Sequence, residues 1–166
     1  INFAKNFTSK TFGLVEEGRK INEMMPFHTV DLLKDAFNEA NKSLSDSSVL
    51  ILGASYKPDV KDLQISPVEK IVEILKDNDV KISIYDPYYK NSKIFGIASS
   101  DNLISSIEKS DAIIIATAHK EFHDLEPSFL KSKMQTSIVI DSKCIINQYD
   151  AKKAGLIYRG IGRGKI

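Results

Sequence analysis

Lys57 stands between Tyr56 and Pro58 in the stretch ILGASYKPDVKD, residues 51–62, which sets a cation beside an aromatic ring on a stiff turn. An aromatic ring can stack on a base, and an ammonium can meet a phosphate or a sugar hydroxyl. The plain alternative is a surface loop carrying an ordinary lysine. An apolar run leads into Gly53, where a dinucleotide fingerprint would begin, but Ala54, Ser55, Tyr56 and Lys57 follow instead of further glycines. That fingerprint needs three glycines, for the turn, for close approach of the pyrophosphate and for packing, so Gly53 alone does not predict NAD.

Four other groups carry chemistry-bearing types. Asp86, in YDPYY, sits where dinucleotide enzymes place a ribose-binding carboxylate, but with the glycines absent it reads as the opener of an Asp-Pro turn. His119 and His123 are four apart, a metal-gripping spacing on a helix, yet Lys120 occupies the position that zinc proteases reserve for Glu. A capping or packing role suits them better. Cys144 follows Lys143, which would favour a thiolate, although an inert buried cysteine is the simpler reading. Arg159 and Arg163 lie among the glycines of YRGIGRG, either as an anion-binding nest or as a glycine-rich tail.

The elements that must position these residues are visible in the periodicity. VLILGAS, KISIYDP, AIIIATA and SIVIDSK are Ile- and Val-rich strand candidates, with LIYRGIG a weaker fifth. A helix is predicted over 66–78, with Val68, Ile71, Val72 and Leu75 on one face, Ser66 as its cap and Pro67 in its first turn. Shorter helices are predicted after Ser100, Ala118 and Gln148. Nearly continuous apolar strands separated by helices argue for an α/β, Rossmann-like three-layer domain with a parallel sheet covered on both faces. Ahead of it, helical spacing over 9–41 predicts a long helical arm, kinked or divided into two helices near Met25 by Pro26. In such sheets ligands sit beyond the carboxyl ends of the strands, which is where Tyr56, Lys57, Asp86, His119 and Lys143 all fall.

Composition narrows the function classes. Net charge is +1, from 23 basic and 22 acidic residues, which disfavours a general nucleic-acid or anionic-membrane surface. The longest apolar stretch, around 112–118, is far too short to span a bilayer, and no signal segment opens the chain, so a cytoplasmic location is expected. A single cysteine excludes an internal disulfide framework and any multi-cysteine zinc site. The start at Ile1, without Met, suggests part of a longer protein.

In chain order, ILGASYKPDVKDLQISPVEKIVEIL, ISIYDPYY, IDSKCI and YRGIGRG resemble the UDP-glucose/GDP-mannose dehydrogenase family, and most nearly its UDP-N-acetyl-D-mannosamine dehydrogenases. The upstream GRKINEMMPFHTVDLL resembles the end of that family's central helical domain. The resemblance implies residues 1–44 as the end of a dimerising helical domain and 45–166 as a Rossmann-like domain that holds the UDP part of the substrate. NAD would be bound mainly by a domain outside this chain. Tyr56 and Lys57 would line the UDP-sugar site, Lys143 would replace the arginine of the family's Asp-x-Arg motif, and Arg19 would reach towards substrate across a homodimer interface. The full enzyme would oxidise the sugar C6 alcohol to a carboxylate in two steps, using a cysteine from a loop absent here. This chain alone would be inactive. Gln64 and Ile65 replace a charged pair of the family pattern, and Ala118 stands where an acidic residue is common. The other reading is a non-catalytic UDP-sensing or dimerising module.

Overall fold

A computed structural model describes residues 13–163. The candidate arm is one helix, α1 (Gly13–Glu39), and its predicted residues 9–12 lie outside the described part. Pro26 does not divide it into two helices. The missing N–H removes one helical bond, to the Asn22 carbonyl, and Pro26 is itself buried, so packing offsets that loss. The Thr29 hydroxyl donates to the Met25 carbonyl at 2.9 Å just beyond the proline.

The rest alternates strands and helices: β1 (Ser48–Leu52), α2 (Val68–Lys76), β2 (Lys81–Tyr85), β3 (Lys93–Ile94), β4 (Ile97–Ser100), α3 (Leu103–Glu108), β5 (Ala112–Ile115), a 3-10 turn (Lys120–Phe122), α4 (Pro127–Lys133), β6 (Ile138–Asp141), α5 (Gln148–Lys153) and β7 (Ile157–Gly160). They form a seven-stranded sheet ordered β3-β4-β2-β1-β5-β6-β7, parallel except for β3. The α/β, Rossmann-like class read from the sequence is therefore the observed one. Asn102 caps α3 by accepting the Ser105 N–H at 2.9 Å, and Asn147 caps α5 by accepting the N–H of Tyr149 at 2.9 Å. Ser66 lies one residue before the cap position of α2, which Pro67 occupies. Its hydroxyl donates to the Ala54 carbonyl at 2.7 Å and so ties the start of α2 to the end of β1.

The alternation along β1 divides the core. Val49 and Ile51 pack with Val30, Leu33 and Phe37 of α1 and Ile71 and Leu75 of α2. Leu50 and Leu52 face the opposite layer, with Ile107, Phe122, Leu130 and Ala151. Burial of both faces explains why these strands read as unbroken apolar runs. Arg159 on β7 is neither in a nest nor in a tail. It is 5% exposed, and its guanidinium donates to Asp35 and Glu39 of α1, clamping helix to sheet.

Candidate functional site

From β1 the sheet is built outward in both directions, through β2 on one side and β5 on the other, so the carboxyl ends of β1 and β5 flank a topological switch point. Gly53 leaves β1 there with φ +80, and a Cβ on it would lie 2.6 Å from Thr117 Cβ and 2.9 Å from the Thr117 carbonyl oxygen. A side chain is excluded by backbone conformation and by the close approach of the β5 end alike.

The turn after Gly53 already holds an anion, and it is an internal one. Asp86, at the end of β2, is wholly buried. Its Oδ2 accepts the backbone N–H of Ala54 at 2.8 Å and of Ser55 at 3.1 Å, together with the Ser55 hydroxyl at 3.1 Å. Its Oδ1 accepts the Tyr88 N–H at 2.9 Å, which makes the Asp-Pro turn expected from the sequence. The fourth donor to Oδ2 is His119, whose Nε2 lies 3.1 Å away. His119 Nδ1 accepts the Asp59 N–H at 2.9 Å, so the ring proton resides on Nε2. Burial alone would raise the Asp86 carboxyl, but the hydrogen bonds from His119, Ala54 and Tyr88 outweigh it and hold the group down at about 2.

A dinucleotide does not fit this turn. The amides that would face a pyrophosphate face Asp86, and the carboxylate that would meet a ribose is sealed from solvent. Sequence reasoning placed Asp86 and His119 correctly at strand ends but missed their union. The available signal was topological: β2 and β5 both neighbour β1, so an Asp ending one and a His following the other meet beneath the β1 turn.

Beside the β1 turn lies a cavity of about 700 Å³ between the strand ends, the start of α2 and the middle of α1. Tyr56 and Lys57 line it from the β1 turn, Ser142 and Lys143 from the β6 end, Pro67, Lys70 and Ile71 from α2, and Asn22, Glu23 and Phe27 from α1. Tyr56, Lys57 and Lys143 are thus brought to one space. Arg19 is not part of its wall; its Nε donates to Glu23 Oε1 at 2.7 Å, and Glu23 does line the cavity. Among the described residues, Lys57 and Lys143 form no ion pair. The Ser142 hydroxyl is buried and has no hydrogen-bond partner among the described residues. Ile65, 89% exposed at φ +57, stands at the rim.

Asp141, which precedes Ser142 and Lys143, does not face the cavity as a free carboxylate. It is buried and accepts the N–H of Lys143 and Ile146 and the Tyr158 hydroxyl at 3.0, 2.9 and 3.1 Å. It shapes the β6 turn as Asp86 shapes the β2 turn. Cys144 is half-buried at φ +54 with Sγ 3.5 Å from the Ile161 carbonyl oxygen. His123 is exposed whereas His119 is buried, and among the described residues no group of three His, Cys, Asp or Glu side chains is placed to hold a metal ion. No helix among the described residues is long and apolar enough to cross a membrane.

Comparison with known proteins agrees with this geometry. Residues 50–148 match the UDP-binding domain of the UDP-glucose/GDP-mannose dehydrogenase family. The UDP-N-acetyl-D-mannosamine dehydrogenase of Pyrococcus horikoshii is 36% identical over 155 residues, covering 93% of this chain and 35% of that protein. The UDP-glucose 6-dehydrogenase of Rhizobium meliloti is 30% identical over 127 residues, 75% of this chain and 29% of the relative. The chain therefore spans about a third of the length of the curated relatives it matches. Among solved structures, the P. horikoshii UDP-D-ManNAc dehydrogenase superposes with a TM-score of 0.83 over 96% of this chain and 36% of its own, at 35% identity. An NDP-N-acetyl-D-galactosaminuronic acid dehydrogenase from Methanosarcina mazei also gives 0.83, over 94% and 32%, at 26% identity. With a Rossmann-like sheet, a switch-point cavity and a domain match over residues 50–148, this chain belongs to the UDP-glucose/GDP-mannose dehydrogenase family.

Proposed function

We propose that the chain supplies the UDP-holding part of an NAD-dependent nucleotide-sugar 6-dehydrogenase of the UDP-N-acetylmannosamine type. The observation that carries this reading is the gathering of Tyr56, Lys57 and Lys143 around one cavity of about 700 Å³, a size suited to a small-molecule ligand. A diphosphate needs positive charge that is not already spent, and Lys57 and Lys143 have no carboxylate partner among the described residues. Tyr56, 50% exposed at the same wall, offers its ring to a base. The unpartnered Ser142 hydroxyl adds a neutral hydrogen-bonding group. Lys143 acts as a point charge where an arginine would act as a fork, so it holds a phosphate with less directional control.

In the full-length enzyme the sugar C6 alcohol would pass through an aldehyde to a carboxylate, with NAD bound outside this chain. A homodimer, in which Arg19 on the projecting half of α1 approaches the partner's substrate, and a cytoplasmic location complete the reading.

Calorimetric titration of the chain with UDP, with NAD as comparison, tests it. UDP should bind, NAD should not, and Lys57→Ala should weaken UDP about tenfold, roughly 1.4 kcal/mol. UDP binding that Lys57→Ala leaves unchanged, or NAD binding in its place, would overturn the assignment. A folded chain that binds neither ligand would favour a purely dimerising module.

A further inference from the structure

The turn that carries Tyr56 and Lys57 is closed on itself by the Tyr56 N–H, which donates to the Asp62 carbonyl at 2.8 Å. Among the described residues, its interior, residues 57–61, is hydrogen-bonded to another element only through Asp59. The Asp59 N–H donates to His119 Nδ1 at 2.9 Å, and Asp59 Oδ1 accepts the Lys120 N–H at 3.1 Å. Asp59 holds φ +58, a left-handed conformation that Asp tolerates better than most residues and that suits a tight turn. The His119 ring that accepts its N–H is wholly buried, with Tyr88 at 5.4 Å and Phe122 at 5.5 Å between ring centroids. Its other nitrogen is committed to Asp86. The ring therefore has one orientation, and that orientation aims a single acceptor at the middle of the ligand-bearing turn.

We propose that His119 is a positioning residue for nucleotide binding: its Nδ1 lone pair latches Asp59 and thereby sets Tyr56 and Lys57 against the cavity, independently of the stabilising bond that Nε2 makes to Asp86. The ligand named rests on the UDP reading above; the latch rests on the geometry alone.

Two variants separate the halves of the ring. His119→Asn keeps an acceptor where Nδ1 was and loses the reach to Asp86. His119→Gln keeps a donor towards Asp86 and loses the acceptor. Three measurements apply to each: UDP affinity by calorimetry, amide exchange of Asp59 by NMR without ligand, and the urea midpoint. His119→Gln is expected to lose Asp59 protection and to bind UDP about five- to tenfold more weakly. His119→Asn is expected to restore both to within about twofold of the parent, while unfolding at lower urea than His119→Gln. Nitrogen shifts in the parent should report a bare Nδ1 and a protonated Nε2. Affinity that follows the urea midpoint in both variants, or an unprotected Asp59 amide in the parent, overturns the latch. If the parent binds no UDP, the exchange contrast between the variants still decides the latch, and only the choice of ligand falls.

Discussion

Replacing Asp86 by Asn tests whether the internal carboxylate holds the β1 turn as described. The perturbation is nearly isosteric, so its effect must arise from charge and hydrogen bonding. Oδ2 receives four donors, from Ala54 N, Ser55 N, Ser55 Oγ and His119 Nε2, and Oδ1 receives the Tyr88 N–H. An amide can serve the four only by turning its NH2 towards Tyr88 N–H, leaving two buried donors face to face. The loss of one charge-assisted bond costs about 1.5–3 kcal/mol, and weakening of the remaining four adds to it, for a total of about 2–4 kcal/mol. Titration gives an independent figure. The folded carboxyl is lowered to about 2, despite burial that pushes it up, against an unfolded value of about 3.9. A depressed folded value means that the stabilisation is fully present above the unfolded value and is lost as pH falls through about 2. Its size is about 2.6 kcal/mol at neutral pH. Urea unfolding followed by circular dichroism should therefore show the midpoint lowered with an unchanged m-value at pH 7. The gap between parent and Asp86→Asn should shrink by about 2 kcal/mol between pH 5 and pH 2. The Asp111 carboxyl is also held low, and although burial opposes this, the Ser48 N–H and Thr136 hydroxyl lower it; being common to both proteins, it cancels in the difference. A loss below about 0.5 kcal/mol at pH 7, or a gap that does not change with pH, would refute the reasoning.

Two further substitutions probe the backbone around the site. Gly53→Ala should cost about 2–5 kcal/mol, because its Cβ would sit 2.6 Å from Thr117 Cβ at φ +80; an unchanged melting temperature would show that the β5 end can retreat. Ile65→Asn should raise stability by about 0.5–1 kcal/mol, since Ile65 is 89% exposed at φ +57 and a β-branched side chain there gains little packing for its strain. A fall in the denaturation midpoint would instead place Ile65 in a stabilising contact.

The central strands β1, β5 and β6 were legible because burial on both faces demands nearly continuous apolar residues, and β2 by its alternating KISIY pattern; β7, with Arg159 in IYRG, carried the weaker signal. The β3–β4 hairpin was not legible. Ile97–Ser100 is short and half polar, and it is organised by a turn with positive φ at Phe95 and Gly96 and by the Ser99 hydroxyl, which donates to the Ser92 carbonyl at 3.0 Å. Those are tertiary features with little periodic signature. The cavity wall at Tyr56, Lys57 and Lys143 follows from strand ends, which periodicity locates well. The roles of Asp86 and His119 do not, since 33 residues separate them and only strand order makes them neighbours. Arg159 is the extreme case: among glycines it suggested a glycine-rich tail or an anion-binding nest, and its partners come from α1.

That clamp also bears on the order in which the chain assembles. Arg159 is 124 residues from Asp35 and 120 from Glu39, so it joins the first described helix to the last described strand. Contacts of such sequence separation form only after the intervening chain has been organised, and they slow folding. During synthesis α1 emerges ahead of the described strands, yet its seat is completed by β6 and β7, the last two of them in chain order. Its stripe of Val30, Leu33, Ala36 and Phe37 can meet β1 and α2 earlier but stays only partly covered until then, a window in which non-native association competes with docking. The clamp is thus a late-closing contact, and weakening it would speed unfolding more than it slows folding.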